Sequence, residues 1–222
     1  MLIASAGEPC EACIDIHPLV YWYSTMNATE ISPAPDDLEA ALASNEWIAN
    51  LCAHWHVLGL PQCWLVAGCI AQTYWNHKHG FTATYGLDDL DLVYFDAVDL
   101  SEDGEAAQRE RIRRQFPDLP VRIDVKNQAR VHLWYEQKFG YPLAPYESTL
   151  AAIDTYPTTS TTIGIQPAAD GLNAYASYGF GDLLALVVRP NKTQVQQATY
   201  EAKVGRWHKL WPELRIVPWI ES

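Results

Sequence analysis

A short apolar strand that carries two aspartates on one face limits the possible folds of this chain more than any other part of it. Residues 86–96 read GLDDLDLVYFD, and the run from Leu90 to Phe95 is typical of a buried strand. Because side chains alternate along a strand, Asp89 and Asp91 share one face and Leu90 takes the other. Two carboxylates on one face repel each other unless a cation lies between them. The pattern predicts a sheet with a cation-binding face.

Strands and helices alternate along the chain around this segment. Pro61 and Gly68 bound an apolar run at 63–67 that suits a buried strand, and a helix is expected at 69–78, ending at Gly80. The other expected elements are a helix from Ser101, a strand at 121–125, a helix at 127–139, a hairpin of 161–165 with 172–176, a helix near 195–209 and a strand at 215–219. The alternation predicts an α+β fold, a mixed sheet flanked by helices, with a short C-terminal annex.

The proline-rich segment before Asp36 predicts a linker. It separates an appendage, residues 1–35 with the linker included, from one domain over 36–222. A single helix is expected from Asp36 to Gly59, with Asp36 as N-cap and Glu39 three residues later. The appendage contains Cys10, Cys13 and His17, which offer three zinc ligands without an identifiable fourth, so its role stays open.

Composition excludes several classes of protein. Hydrophobic residues make up 49% of the chain, enough for a packed core. The net charge of −12 argues against general binding to nucleic acid or anionic membranes, since lysine and arginine make most phosphate contacts. The sequence contains neither an apolar run of membrane-spanning length nor a secretory signal, and its five cysteines do not suggest a disulfide framework. We therefore expect a cytoplasmic protein.

A third carboxylate lies on another predicted strand. Asp124 occupies the polar face of the strand at 121–125, so the three acids converge if this strand neighbours the first one. Mg²⁺ prefers hard oxygen ligands and completes its shell with water and phosphate oxygens. Such a triad is suited to hold two metal ions on a reacting phosphoryl group.

The turn after the first apolar strand resembles an anion site. At Gly68 and Cys69 small residues let a ligand approach the backbone, and the following helix directs its first amides at that point. Lys126 and Arg130 follow the third acid, and two interpretations remain open for them. They either contact a triphosphate or acceptor, or they neutralise nearby carboxylates.

The order of these motifs resembles a known superfamily. LVAGC at 65–69, DLD at 89–91 and then Asp124 are similar to the DNA polymerase β-type nucleotidyltransferases. More narrowly, residues 45–220 resemble a bacterial family of small predicted nucleotidyltransferases. The segments that carry this narrower resemblance are Trp75–His77, Asp91–Asp96, Val125–His132, Tyr156–Thr159, Val187–Asn191 and Pro218–Trp219.

The resemblance implies a polymerase β-like fold and a reaction. Asp89, Asp91 and Asp124 would be the catalytic metal ligands for Mg²⁺ or Mn²⁺, with a nucleoside monophosphate moving from an NTP to a hydroxyl acceptor and pyrophosphate released. Two departures are evident: Cys69 stands where the superfamily usually has serine or glycine, and the interval from Gly68 to Asp89 is longer than usual. The alternative is a nucleotide-binding or partner-binding module without catalytic activity.

Overall fold

A six-stranded mixed sheet organises the part of the chain that the computed structural model describes, residues 31–220. Its strands are β1 (Ser32–Pro33), β2 (Trp64–Val66), β3 (Asp89–Tyr94), β4 (Arg122–Asn127), β5 (Ile163–Ala168) and β6 (Gly171–Ala176). They lie in the order β1-β6-β5-β2-β3-β4, with β3 and β4 parallel and the other neighbours antiparallel. Two further strands, β7 (Val187–Val188) and β8 (Arg215–Ile216), form a small parallel sheet.

Helices are interleaved with these strands. They are α1 (Asp36–Ala43), α2 (Glu46–Ala53), α3 (Gly68–His79), α4 (Glu102–Gln115), α5 (His132–Phe139), α6 (Thr149–Ile153), α7 (Gly181–Leu184) and α8 (Gln197–Leu210). Of the helices in residues 31–220, none is long and apolar enough to cross a membrane. The mixed sheet with interleaved helices confirms the predicted α+β fold.

The two faces of the sheet differ in what they bury. On one face, Leu90, Leu92 and Ile123 belong to the main apolar core together with helix residues such as Trp75. A smaller cluster occupies the other face, and its members are Trp64, Val66, Val93, Ile153 and Tyr175. Because side chains alternate, the acidic positions of β3 and β4 share this second, thinly covered face.

The C-terminal helix packs against the core. Trp207 and Trp211 of α8 and its C-cap lie edge-on to Trp75 of α3, with ring centroids 5.3 and 5.4 Å apart. The Trp211 indole donates a hydrogen bond of 2.6 Å to the buried Asn76 side chain. These contacts fix α8 beside α3. The polar side of α8 therefore lies next to the start of β3, where Arg206 bonds Asp88.

The helix expected from Asp36 to Gly59 is wrong in three respects, the first being that α2 ends at Ala53 and only a 3-10 turn, Trp55–Val57, follows before Gly59. It is two helices, because Asn45 stops the first and caps the second by accepting from the amides of Trp47 and Ile48. Asn45 also donates to Thr73 on α3, which holds the break in place. The N-cap of α1 is Pro35 without a side-chain bond, so Asp36 is the first helical residue and the predicted capping box does not form.

Three further differences concern the ends of elements. Ser32 and Pro33 of the predicted linker pair with Ala174 and Asn173, so these two residues form an edge strand of the sheet. The segment predicted as a helix at 127–139 begins as the end of β4 and a 3-10 turn, and the last strand is shorter than expected. Residues 1–30, with the possible zinc ligands, lie outside the described part of the chain.

Candidate active site

The sheet brings the three predicted acids onto one face. Asp91 of β3 is the direct neighbour of Asp124 on the parallel strand β4, and Asp89 lies two residues before it. Val66 of β2 lies on the same face, and it pairs with Asp91 from the strand that flanks β3 opposite β4. The condition set by the sequence, that the two strands be neighbours, is therefore met.

The environment of Asp91 disfavours its charged form. Burial first, and then the negative charges of Asp89 and Asp124, raise the pKa of this carboxyl to about 7 against the opposing charge of Lys203. A carboxyl in this setting is costly to ionise unless more positive charge arrives. The face thus carries negative charge that the surrounding side chains balance only in part.

Two basic side chains of β4 contact the other two acids. Arg122 forms an ion pair with Asp89, and Lys126 lies with its Nζ 3.7 Å from Asp124 Oδ1. Within residues 31–220, no group of three His, Cys, Asp or Glu side chains is gathered closely enough to hold a metal ion. A shared metal would require Asp89 to exchange its partner Arg122 for the ion.

A strained turn links β2 to α3 beside these acids. Ala67 has φ of +61° and ψ of −123°, a conformation that favours glycine. The first turn of α3 begins at Gly68 and has no side-chain cap, so its amides are available to an anion. The Cys69 thiol is buried and donates to the Val66 carbonyl at 3.3 Å, and burial raises its pKa. Cys69 thus offers only its backbone to a ligand.

Two cavities meet at Asp91. The first has a volume of about 400 Å³ and is here called the basic cavity after its three cations, Arg122, Lys203 and Arg206, which face an equal number of acids, Asp88, Asp89 and Asp91. Gly68 and Gln72 also line it. The second, the aromatic cavity, has a volume of about 460 Å³, and its rings are Trp134, Tyr135, Phe139, Tyr141, Tyr146 and Tyr156. Asp91 and Lys203 line both cavities.

Lys203 and Arg206 are site residues that sequence reasoning missed. Burial lowers the pKa of Lys203, and the charge of Asp91 acts against that shift. Arg206 lies one helical turn further along α8 and bonds Asp88 at 3.0 Å. Buried Tyr200, Val204 and Trp207 mark the inner face of α8, but no sequence pattern connects this helix with β3. Only the tertiary packing places its cations at the carboxylates.

Arg130, predicted to bind the nucleotide, lines neither of these two cavities. Its Nη1 lies 3.3 Å from the buried Glu105 carboxylate, and its Nε donates to the Leu100 carbonyl at 3.1 Å. Glu105 also accepts from the amide of Asn127 at 2.9 Å. Arg130 therefore ties α4 to the end of β4, in agreement with the charge-neutralising interpretation. Lys126 faces the aromatic cavity and lies beside Asp124.

One solved structure shares the fold of this chain. This structure, described as an NMR structure that reveals a CCA-adding enzyme head domain, superimposes with a TM-score of 0.69 and 22% sequence identity. The match covers 84% of this chain and 97% of that one, and it shows a common fold. Among curated proteins, none matches the chain.

A protein-family model also matches the chain. The model described as Nucleotidyltransferase matches residues 53–216, a range that contains the three acids, the turn at Gly68 and helix α8. The match spans well over half of the 222 residues. The chain therefore belongs to this family of nucleotidyltransferases.

Proposed function

We propose that the protein transfers a nucleoside monophosphate from an NTP to a hydroxyl acceptor, releases pyrophosphate, and requires Mg²⁺ or Mn²⁺. The observation that carries the proposal is the pairing of Asp91 with Asp124 beside the uncapped start of α3. This arrangement combines hard oxygen ligands with an anion site at one point of the sheet.

The carboxylates fit a divalent ion in kind, and Asp91 and Asp124 are direct neighbours on β3 and β4. Their oxygens are the ligands that Mg²⁺ prefers, and the pKa of Asp91 is raised first by burial and then by the negative charges of Asp89 and Asp124, which a bound cation would offset. Asp89, Asp91 and Asp124 would hold the ion once Asp89 leaves Arg122. When bound, divalent ions neutralise triphosphate oxygens and make an acceptor hydroxyl more acidic.

The remaining groups bind and orient the triphosphate. The amides of Gly68 and Cys69 donate to the phosphate oxygens that will leave, and Lys203 and Arg206 offset the charge of the departing pyrophosphate. Asp124 accepts the proton of the attacking hydroxyl. A bond forms between the acceptor oxygen and the α-phosphorus, the bond from that phosphorus to the bridging oxygen breaks, and pyrophosphate departs.

The test incubates the protein with each of the four NTPs, labelled at the α-phosphate, with Mg²⁺ or Mn²⁺ and a pool of small metabolites as acceptors. Two quantities are measured: the transfer of label to an acceptor and the release of unlabelled pyrophosphate. Wild type should transfer label to a component of the pool. Asp91→Asn should lose at least a hundredfold in rate, whereas Asp118→Asn, a change at an exposed aspartate on another surface, should not. If every NTP is bound unchanged, the protein is a nucleotide-binding module without transferase activity.

A further inference from the structure

The aromatic cavity is a preformed pocket of small-molecule size. Its volume of about 460 Å³ lies in the range of about 300–1,000 Å³ that is usual for small-ligand sites. Hydrogen bonds fix its walls: the hydroxyls of Tyr135 and Tyr141 lie 3.0 Å apart, and that of Tyr146 lies 2.6 Å from Thr155 Oγ1. Tyr141 also donates to the Gln194 carbonyl at 2.8 Å. Fixed rings reduce the ordering cost when a ligand binds.

The two cavities lie on opposite sides of the paired acids along the strands. Asp89 and Arg122, at the start of β3 and β4, line the basic cavity. Val93 and Lys126, four residues further along and about 13 Å away at 3.3 Å per residue, line the aromatic cavity. Asp91 lies between them and borders both.

The positions of the two cavities indicate on which side of the reacting phosphorus each reactant lies. In phosphoryl transfer the attacking and leaving oxygens are roughly in line across the phosphorus. Pyrophosphate leaves on the side of the basic cavity, because Gly68 at the start of α3 and Arg206 line that cavity and not the aromatic one. The attacking hydroxyl therefore arrives from the aromatic cavity.

The charges of the cavity restrict the acceptor further. Of the described residues that line it, the charged ones are Lys126, Lys138, Lys203 and Asp91. Lys138 lies over the rings of Trp134 and Phe139, at 5.4 and 5.3 Å from their centroids. A cationic ligand would meet three ammonium groups, whereas ring faces favour a flat, apolar body.

We propose that the aromatic cavity is the acceptor site and that it takes an uncharged or anionic small alcohol or phenol with a ring as its body. The assignment rests on the proposed function, because the in-line argument needs a leaving pyrophosphate. It excludes cationic acceptors such as amino sugars.

The test uses 2-naphthol as the probe and 2-naphthylmethylamine as its cationic counterpart, titrated calorimetrically into the full chain. The α,β-methylene analogues of the four NTPs are titrated separately, with Mg²⁺. Thr199→Trp fills the cavity from α8, and Val195→Phe fills it independently. Ala198→Trp adds the same bulk at the exposed neighbouring position and is the matched control.

We expect 2-naphthol to bind wild type and Ala198→Trp within twofold of each other. The amine should bind at least tenfold more weakly, and both filling variants should weaken 2-naphthol at least tenfold. Neither filling variant should alter the affinity for the NTP analogues by more than twofold. Saturating analogue should leave the affinity for 2-naphthol unchanged, since the two ligands occupy different cavities.

Several results would overturn the assignment. If 2-naphthol binds both filling variants as tightly as wild type, or if the amine binds more tightly than 2-naphthol, the aromatic cavity is not the acceptor site. Competition between 2-naphthol and an NTP analogue places the nucleoside there, and displacement of 2-naphthol by a short RNA ending in CCA makes the acceptor a polynucleotide. If naphthol binds and no analogue does, the proposed nucleotidyl transfer has failed, and that result is distinct from the loss of naphthol binding.

Discussion

Replacing Asp91 by asparagine should remove a pH-dependent destabilisation that the folded protein carries at neutral pH. The pKa of Asp91 is raised from 3.8 to about 7, first by burial and then by the charges of Asp89 and Asp124. The folded chain thus holds this proton more tightly than the unfolded chain does. Stability from Asp91 is therefore fully present below about pH 4 and is lost as the pH rises toward 7.

The size of the effect follows from the shift. One pKa unit corresponds to 1.36 kcal/mol, so about three units make the ionised Asp91 cost about 4 kcal/mol at pH 8. At pH 5 only about 1.6 kcal/mol of this cost has appeared. Between pH 5 and pH 8 the free energy of unfolding of wild type should fall by roughly 3 kcal/mol more than that of Asp91→Asn.

The assay is urea unfolding at both pH values in EDTA, for wild type, Asp91→Asn and the exposed control Asp118→Asn. Asp118→Asn should keep the wild-type dependence on pH. Adding Mg²⁺ with NTP at pH 8 should stabilise wild type by about 2.7 kcal/mol at a hundredfold excess over Kd, and should stabilise Asp91→Asn much less. Equal pH dependence in wild type and Asp91→Asn would refute the buried acid cluster, and equal stabilisation by ligand would refute the metal site.

Four further predictions concern other parts of the chain. Deleting residues 1–30 should leave the melting temperature within a few degrees, because β1 begins at Ser32, and a collapse in stability would make the appendage structural. Fluorescence anisotropy should detect no salt-sensitive binding of a DNA duplex or a tRNA pool near physiological salt, given the net charge of −12, and micromolar binding would contradict this. Glu105→Ala should cost about 3 kcal/mol in urea unfolding by leaving Arg130 buried without its partner, whereas a loss below 1 kcal/mol would show that the pair is replaceable. Ala67→Gly should stabilise the protein by about 1 kcal/mol by relieving the positive φ, and destabilisation would mean that the turn is unstrained.

The acids were predictable because alternation is a local property. The pattern around Asp89, Asp91 and Asp124 fixes which side chains share a strand face, but it does not say that β3 and β4 are neighbours. That pairing depends on the connection through α4, so the sequence could state it only as a condition. The position of Arg130 depends on Glu105, a partner 25 residues away that no local pattern links to it.

The errors near the N-terminus have a similar physical origin. Apolar residues recur at helical spacing across Ser44 and Asn45, so the periodicity predicts one continuous helix. The break is stabilised by the tertiary bond from Asn45 to Thr73 of α3, which periodicity does not encode. The aromatic cavity was missed for the same reason, since its rings come from α5 and from the segment at 141–156, and only packing brings them together.

The distribution of charge bears on how a chain with net charge −12 would bind the triphosphate of the proposed reaction. At least five of its 15 lysines and arginines line the two cavities: Arg122, Lys126, Lys138, Lys203 and Arg206. A compact triphosphate reaches several of these cations at once, at separations where the attraction is strong. An extended polynucleotide would also run over acidic surface, such as the first turn of α4 with Glu102 and Asp103. We therefore expect a small phosphorylated substrate, which meets the clustered cations together with the acids of the site, to bind more tightly than a nucleic acid, which also meets the acidic surface of α4.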